Sequence, residues 1–376
     1  MSLKQSGTPE ALAWVQALRA PALAMHWTLA DWERVVRVAR RLRLLARLSE
    51  AIDAAGLMEQ VPAAARRHLI AEQRLSRWRT AAVRWTIERM EGALGDTPYP
   101  RVLLKGAAYL GQGLPIATGR LPSDIDILVP RSVVADAQQR LRAAGWSESP
   151  LDEHDRTYYY QWSHEAPPMT HPAYHFELDL HHNIVPPVAH ASVDPARLME
   201  RLMPSCWPGW QVLDTADQVL HSAAHLFWDS ELRDRVRDLV DLDGLLRLFG
   251  QDEAFWPRLV ARAGEMGLGE PLALAFHFTR RWLDTPIPDA VLRGVKPAAL
   301  GALHRWWLVP ALDRALRPTE PDEMPSRLQE FSALLLLTRH HYRRMPMRVL
   351  LPHLWHKWRV RQRNVDGQQR WQEKAP

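Results

Sequence analysis

Asp124 and Asp126 stand one residue apart in SDIDILV (123–129), and Glu177 and Asp179 repeat the spacing about fifty residues later in FELDLHH (176–182). Apolar and β-branched residues around each pair predict strands. Side chains alternate across a strand, so each pair of acids shares a face. On the first strand the two aspartates lie opposite Ile125, Ile127 and Val129. On the second, His175, Glu177, Asp179 and His181 lie opposite Phe176, Leu178 and Leu180. If the strands are neighbours, three or four carboxylates converge. Like charges that close raise one another's pKa. A divalent cation offsets the repulsion, and all-oxygen donors suit Mg2+ or Mn2+. A solvated sheet face accounts equally for a lone Asp-x-Asp. The glycine turn before it and the second acidic strand favour the metal.

The elements that must position these groups can be read from periodicity. In TLADWERVVRVARRLRLLARLSEAIDAAG, Trp32, Val35, Val36, Ala39, Leu42, Leu45, Leu48 and Ile52 recur at helical spacing, with Thr28 as N-cap and Gly56 as stop. A second helix runs from Pro62 to Gly92, and GDTPYP (95–100) ends the helical region. RVLLKG (101–106) then reads as a short strand ending in a glycine turn. RSVVADAQQRLRAAGW reads as a helix with Val133, Val134, Ala137 and Leu141 on one face and Gly145 as its stop. RTYYYQWS reads as a further strand, PPMTHP as a loop, and AYHFELDLHHNI as the last strand. The chain from 191 to 338 reads as helical. The expectation is an α+β protein with a small mixed sheet, divided into a helical region (1–98), a core (99–190), a second helical domain (191–338) and a basic tail (339–376).

Composition narrows the function classes. The 376 residues have a formal net charge of +5, but residues 339–376 hold ten Lys/Arg against two Asp/Glu, leaving −3 for the rest. The positive charge therefore belongs to a tail and does not describe a nucleic-acid-binding surface. One cysteine, Cys206, excludes an internal disulfide and a cysteine zinc site. No leader or membrane span is evident, so a cytoplasmic setting is expected. Five Lys stand against forty-three Arg, so Lys105, directly before Gly106, draws notice.

LLKGAA (103–108), SDIDILV and FELDLHH together resemble the DNA polymerase beta-like nucleotidyltransferase superfamily, and most closely a poorly characterised bacterial family of nucleotidyltransferases. The resemblance spans roughly residues 28–250 and includes the flanking DWERVVRVARRLRLL and HSAAHLFWDSELRDRVRDLVDLDGLL. It implies a polymerase beta-like core between helical regions. It also implies transfer of a nucleoside monophosphate from an NTP, ATP being the first choice, to a hydroxyl-type acceptor. On that resemblance Asp124 and Asp126 hold Mg2+, and Asp179 holds the acceptor-side ion and activates the nucleophile, with Glu177 as the alternate. Lys105, Gly106, Ala107, Arg120 and Ser123 form the nucleotide-binding stretch, and His181 shares the acidic face. The turn here is Gly106-Ala107 where the family has Gly-Ser or Gly-Gly, so phosphate binding rests on backbone N–H groups or on neighbours. A small-molecule, peptide or protein acceptor fits the net negative core better than nucleic acid. Peptide modification follows from the gene neighbourhoods of similar proteins. A binding module that has lost transfer, and an RNA-modifying transferase using the tail, are the alternatives.

Other patterns read as structure. His221 and His225 share a helix face without a third zinc ligand, and are expected to be packed or hydrogen-bonded. Asp234, Asp238, Asp241 and Asp243 are expected on a solvated or interdomain face, with Arg235/Asp238 and Arg237/Asp241 as helical ion pairs. His182 and His190 read as structural. Trp355, Trp358 and Trp371 interleave with basic residues in the tail, which reads as a solvated end.

Overall fold

Thr28 opens the first helix as its sequence predicts. Its hydroxyl accepts from Asp31 N at 3.2 Å, and Asp31 Oδ2 accepts from Thr28 N at 2.9 Å, closing a reciprocal cap. The computed structural model describes residues 10–150, 159, 163–186, 193–228, 232–295 and 301–344. Helix α1 (Leu29–Arg41) buries Trp32, Val35, Val36 and Ala39. The single helix expected here is in fact two. Arg43 adopts φ +56°, a left-handed conformation that ends α1, and α2 (Leu45–Ala54) follows. Leu42, Leu45, Leu48 and Ile52 remain buried on both sides of the break, so periodicity alone gave no sign of it. The long helix α3 (Ala63–Leu94) packs against α2 and against α5 (Val134–Ala143).

The described strands form one mixed sheet of seven, ordered β3-β4-β5-β2-β1-β7-β6. They are β1 (Val102–Leu103), β2 (Asp124–Leu128), β3 (Ser147–Glu148), β4 (Met169–Thr170), β5 (Glu177–His181), β6 (Leu202–Pro204) and β7 (Gln211–Leu213). β2 pairs with β5 in parallel and with β1 antiparallel, and β1 pairs with β7 in parallel. The sheet thus extends into the stretch read as wholly helical: β6 and β7 are three residues each, too short to show a period. β4 falls inside the expected PPMTHP loop. The strand expected in RTYYYQWS falls almost wholly outside the described residues, as do His190 and residues 345–376.

Helix α4 (Lys105–Gly111) follows β1 and packs on β1, β2 and α7 (Thr215–Trp228); the short α6 (Pro195–Met199) precedes β6. α7 packs in turn on α8 (Val236–Phe249), α9 (Phe255–Glu265) and α10 (Gly269–Leu283). α11 (Asp289–Gly294), α12 (Ala302–Leu316) and α13 (Arg327–Arg344) complete the described chain. Part of the basic end is docked: Arg339 and Arg343 of α13 both bond Glu270, Arg343 Nη1 at 3.0 Å. Among the described residues no helix is long and apolar enough to cross a membrane.

The acids of α8 are buried rather than solvated. Arg235 pairs with Asp238 at 3.1 Å as expected, but Arg237 bonds Asp238 instead of Asp241. Asp241 is 2% exposed and takes both Arg47 and Arg120. Gly119 makes this possible. It has φ +69°, and a Cβ there would lie 2.6 Å from Arg47 Cα. Gly119→Ala is expected to cost at least about 1–3 kcal/mol from conformation alone, with the clash added. Gly56→Ala, at a similar φ of +70° but with open space around it, costs less. Urea unfolding midpoints of the two variants check the difference.

Candidate active site

β2 and β5 bring the two acidic faces together. Their register sets Asp126 beside Asp179, Asp124 beside Glu177 and Leu128 beside His181. Ile125, Ile127, Leu178 and Leu180 turn the other way and are fully buried. Leu104 N donates to Asp126 O at 3.0 Å, so the β1–β2 ladder reaches the aspartate itself. The chain then turns at Lys105, which has φ +43°. A lysine in the left-handed region is strained, and such strain persists where the surrounding structure demands it.

The turn aims the lysine. Lys105 Nζ donates to Asp126 Oδ1 at 2.7 Å, and His181 Nε2 stands 3.0 Å from the same oxygen. Burial opposes the charge of Asp126, but the Lys105 ammonium and His181 hold its carboxyl well below the usual carboxylate range. Burial likewise opposes the charge of Lys105, and the fields of Asp126 and Asp124 outweigh it, raising its pKa. His181 is raised too: burial acts against it, and the bond to Asp126 and the Glu165 carboxylate prevail. An ionised carboxylate only accepts hydrogen bonds, so Nε2 of His181 carries the proton that Asp126 receives.

Asp179 has the opposite fate. Burial and then the Asp126 carboxylate push its pKa up to about 8. A carboxyl so placed is ionised more readily when a further positive charge stands beside it. The donor set is all oxygen, which fits Mg2+ or Mn2+. Ser123 Oγ donates to Asp124 Oδ1 at 3.1 Å. Glu177 is exposed and accepts from Ser149 Oγ at 3.0 Å, at the outer end of the row.

The rest of the glycine turn is tightly packed. A Cβ on Gly106 would lie 2.1 Å from Arg120 Nη1. Arg120 therefore lies against the turn, 7% exposed, with Nε donating to Asp241 Oδ2 at 3.0 Å and its guanidinium 5.7 Å from the Tyr109 ring centre. Ala107 is buried at the start of α4. His221 and His225 of α7 are held neutral, well below the usual imidazole range, first by burial and next by the charge of Lys105.

Three arginines that the sequence did not place at the site gather at the approach to β2. Arg79 Nη1 donates to Pro122 O, and Arg237 Nη1 donates to Leu121 O at 3.3 Å. Arg43, at the strained break between α1 and α2, stands near both and near Asp124; burial and the Arg237 guanidinium lower its pKa. In a chain with forty-three arginines no pattern singles out Arg43 or Arg79, and the helical spacing of Arg237 pointed only to an ion pair. His164 and Glu165 are equally unmarked in the sequence: Glu165 bridges His181 from the segment before β4.

A seven-stranded mixed sheet carrying acids on adjacent parallel strands, beside a Lys-Gly turn and between helical layers, is a nucleotidyltransferase core. Residues 28–284 match the model of a family described as "uncharacterised nucleotidyltransferase", and the chain belongs to that family. No curated protein and no solved structure matches it. The matched range contains every site residue described above.

The neutral histidines give this site a pH dependence. As pH falls through 6.5 the unfolded chain takes up protons at His221 and His225, whereas the folded chain does not. Folding stability is therefore lost on acidification below that value. Between about pH 7 and pH 5 the stability of a His221→Gln/His225→Gln variant is expected to fall less steeply than that of the parent chain. Chemical denaturation across that range measures both slopes.

Proposed function

We propose that this protein transfers a nucleoside monophosphate from an NTP, with ATP as the first candidate, to a hydroxyl on a small molecule, peptide or protein. The observation that carries the reading is the parallel register setting Asp126 beside Asp179 and Asp124 beside Glu177. Asp124, Asp126 and Asp179 would hold the divalent ions. When bound, a divalent ion such as Mg2+ would supply positive charge that keeps Asp179 ionised and stabilises the charge developing on the phosphates in an in-line displacement.

The chain's own residues do the rest. Asp179 takes the proton of the acceptor hydroxyl. The freed oxygen forms a bond to the α-phosphorus as the bond to pyrophosphate breaks. Backbone N–H groups at the start of α4 meet the phosphates, and Lys105 lends a compact positive charge. The turn lacks a hydroxyl, and the guanidinium groups of Arg43 and Arg79 at the approach to Asp124 supply the missing grip on the β- and γ-phosphates, joined by Arg237, which shares its charge with Asp238. We assign Arg120 to bracing the turn from beneath, because Asp241 takes its charge. The core and flanks are net negative without the tail, which favours an acceptor other than nucleic acid.

One observation favours a second reading, a nucleotide-binding module without turnover: Lys105 already provides a cation at Asp126 Oδ1. The two readings part on a single measurement, release of pyrophosphate from NTP in Mg2+ with extract of the host as acceptor source. Transfer predicts Mg2+-dependent label on an acceptor, lost in Asp124→Asn and in Asp126→Asn. Binding without turnover in the parent chain overturns the enzyme reading. Asp179→Asn is expected to lower turnover by about 10²–10⁴-fold with NTP affinity little changed, while Glu177→Gln stays near the parent. Arg43→Ala and Arg237→Ala should each weaken NTP binding by roughly tenfold or more, and do so most at low salt. Fluorescent-nucleotide titrations at two ionic strengths check this.

A further inference from the structure

We propose that His164, Glu165 and His181 form a transition-metal site, suited to Zn2+, that clamps the segment before β4 onto β5 behind Asp126. One potential ligand atom from each of the three lies within 4.8 Å of the other two. Glu165 Oε2 stands 3.6 Å from His181 Nδ1 and 3.9 Å from His164 Nε2. Ligands of a tetrahedral zinc, bound at about 2.0–2.1 Å, stand roughly 3.3 Å apart. These two edges reach that spacing by small side-chain rotations.

The geometry of His181 sets the requirement. Its Nε2 stands 3.0 Å from Asp126 Oδ1, which leaves Nδ1 as the ring nitrogen that can ligate. Among the described residues Nδ1 is buried and makes no hydrogen bond. It faces the Glu165 carboxylate across 3.6 Å, a gap wide enough for a cation between the two. His164 brings a third ligand to the same point. Two imidazoles and one carboxylate select a borderline metal such as zinc over the hard Mg2+ of the aspartate row. A ligating imidazole that passes its other N–H to a carboxylate is also the usual outer arrangement of zinc sites.

The backbone holds the three ligands in place beforehand. Glu165 bridges His181, Ala166 N donates to Leu180 O at 2.8 Å, and His182 N donates to His164 O at 2.9 Å. The ion would then tie the 163–166 segment to β5 and fix the ring that orients Asp126. His181 is in this sense a positioning residue, acting through Asp126.

The test is zinc binding by the full chain, read without any assay of transfer. The protein is dialysed against Zn2+ in excess Mg2+ and its metal content measured, and Co2+ is substituted to report geometry by visible absorption. The expected result is one Zn2+ per chain and a tetrahedral Co2+ spectrum. His164→Asn and Glu165→Gln should each weaken Zn2+ binding at least about tenfold, whereas Asp124→Asn retains it. No stoichiometric Zn2+ in the parent chain, or Zn2+ bound equally by the His164→Asn/Glu165→Gln double variant, overturns the proposal. Should those variants misfold, an octahedral Co2+ spectrum in the parent chain would still refute it. Loss of transfer in Asp124→Asn with zinc retained separates this site from the nucleotide reading.

Discussion

One oxygen atom, Oδ1 of Asp126, organises the centre of this protein. It receives the Lys105 ammonium and the His181 imidazole at 2.7 and 3.0 Å in a position that is 3% exposed. A buried carboxylate is stable only when its charge is answered. Here the answer comes from two directions at once: a strained turn after β1 and the last residue of β5. The neighbouring Asp179 is answered only weakly, by the field of His181, and burial with the Asp126 carboxylate pushes its pKa up to about 8. Two aspartates side by side thus have different chemistry because the lysine reaches only one of them.

The same economy recurs one layer down. Asp241 on α8 gathers Arg47 from α2 and Arg120 from the loop before β2. The first helical region, the sheet and the later helices meet at that carboxylate. Gly106 and Gly119 are the two places where backbone must come close enough for this, one against the Arg120 guanidinium and one against the backbone of Arg47. The turn that aims Lys105 therefore rests on a buried ion cluster, and the apolar packing of the helices surrounds it.

Much of this is legible in the amino-acid sequence. A period of two puts Asp124 and Asp126 on one face and Ile125 and Ile127 on the other, because a pleated strand admits no other arrangement. The cap at Thr28 is equally plain, and so is the long helix, read as ending at Gly92 and found to run to Leu94. What stays hidden depends on distant pairing. Nothing in the strands themselves says that β2 lies beside β5, and β6 and β7 are too short to announce themselves. The break at Arg43 is invisible because the buried leucines keep their spacing through it. Glu165 meets His181 only through the folded backbone, and three arginines among forty-three carry no signal of their place at the approach to β2.

The position of β7 has a consequence for how this molecule is made. β1, which delivers the Lys105 turn, lies between β2 and β7 in the sheet, yet β7 is synthesised about a hundred residues after it. Until Gln211–Leu213 has left the ribosome, β1 has an open edge of two wholly apolar residues, Val102 and Leu103. The helix that packs on α4 follows directly after β7 in the chain. The acidic strands are thus complete in the nascent chain well before the turn that carries Lys105 to Asp126 is locked in place. Such non-local closure is slow, and it leaves an unpaired edge exposed in the meantime.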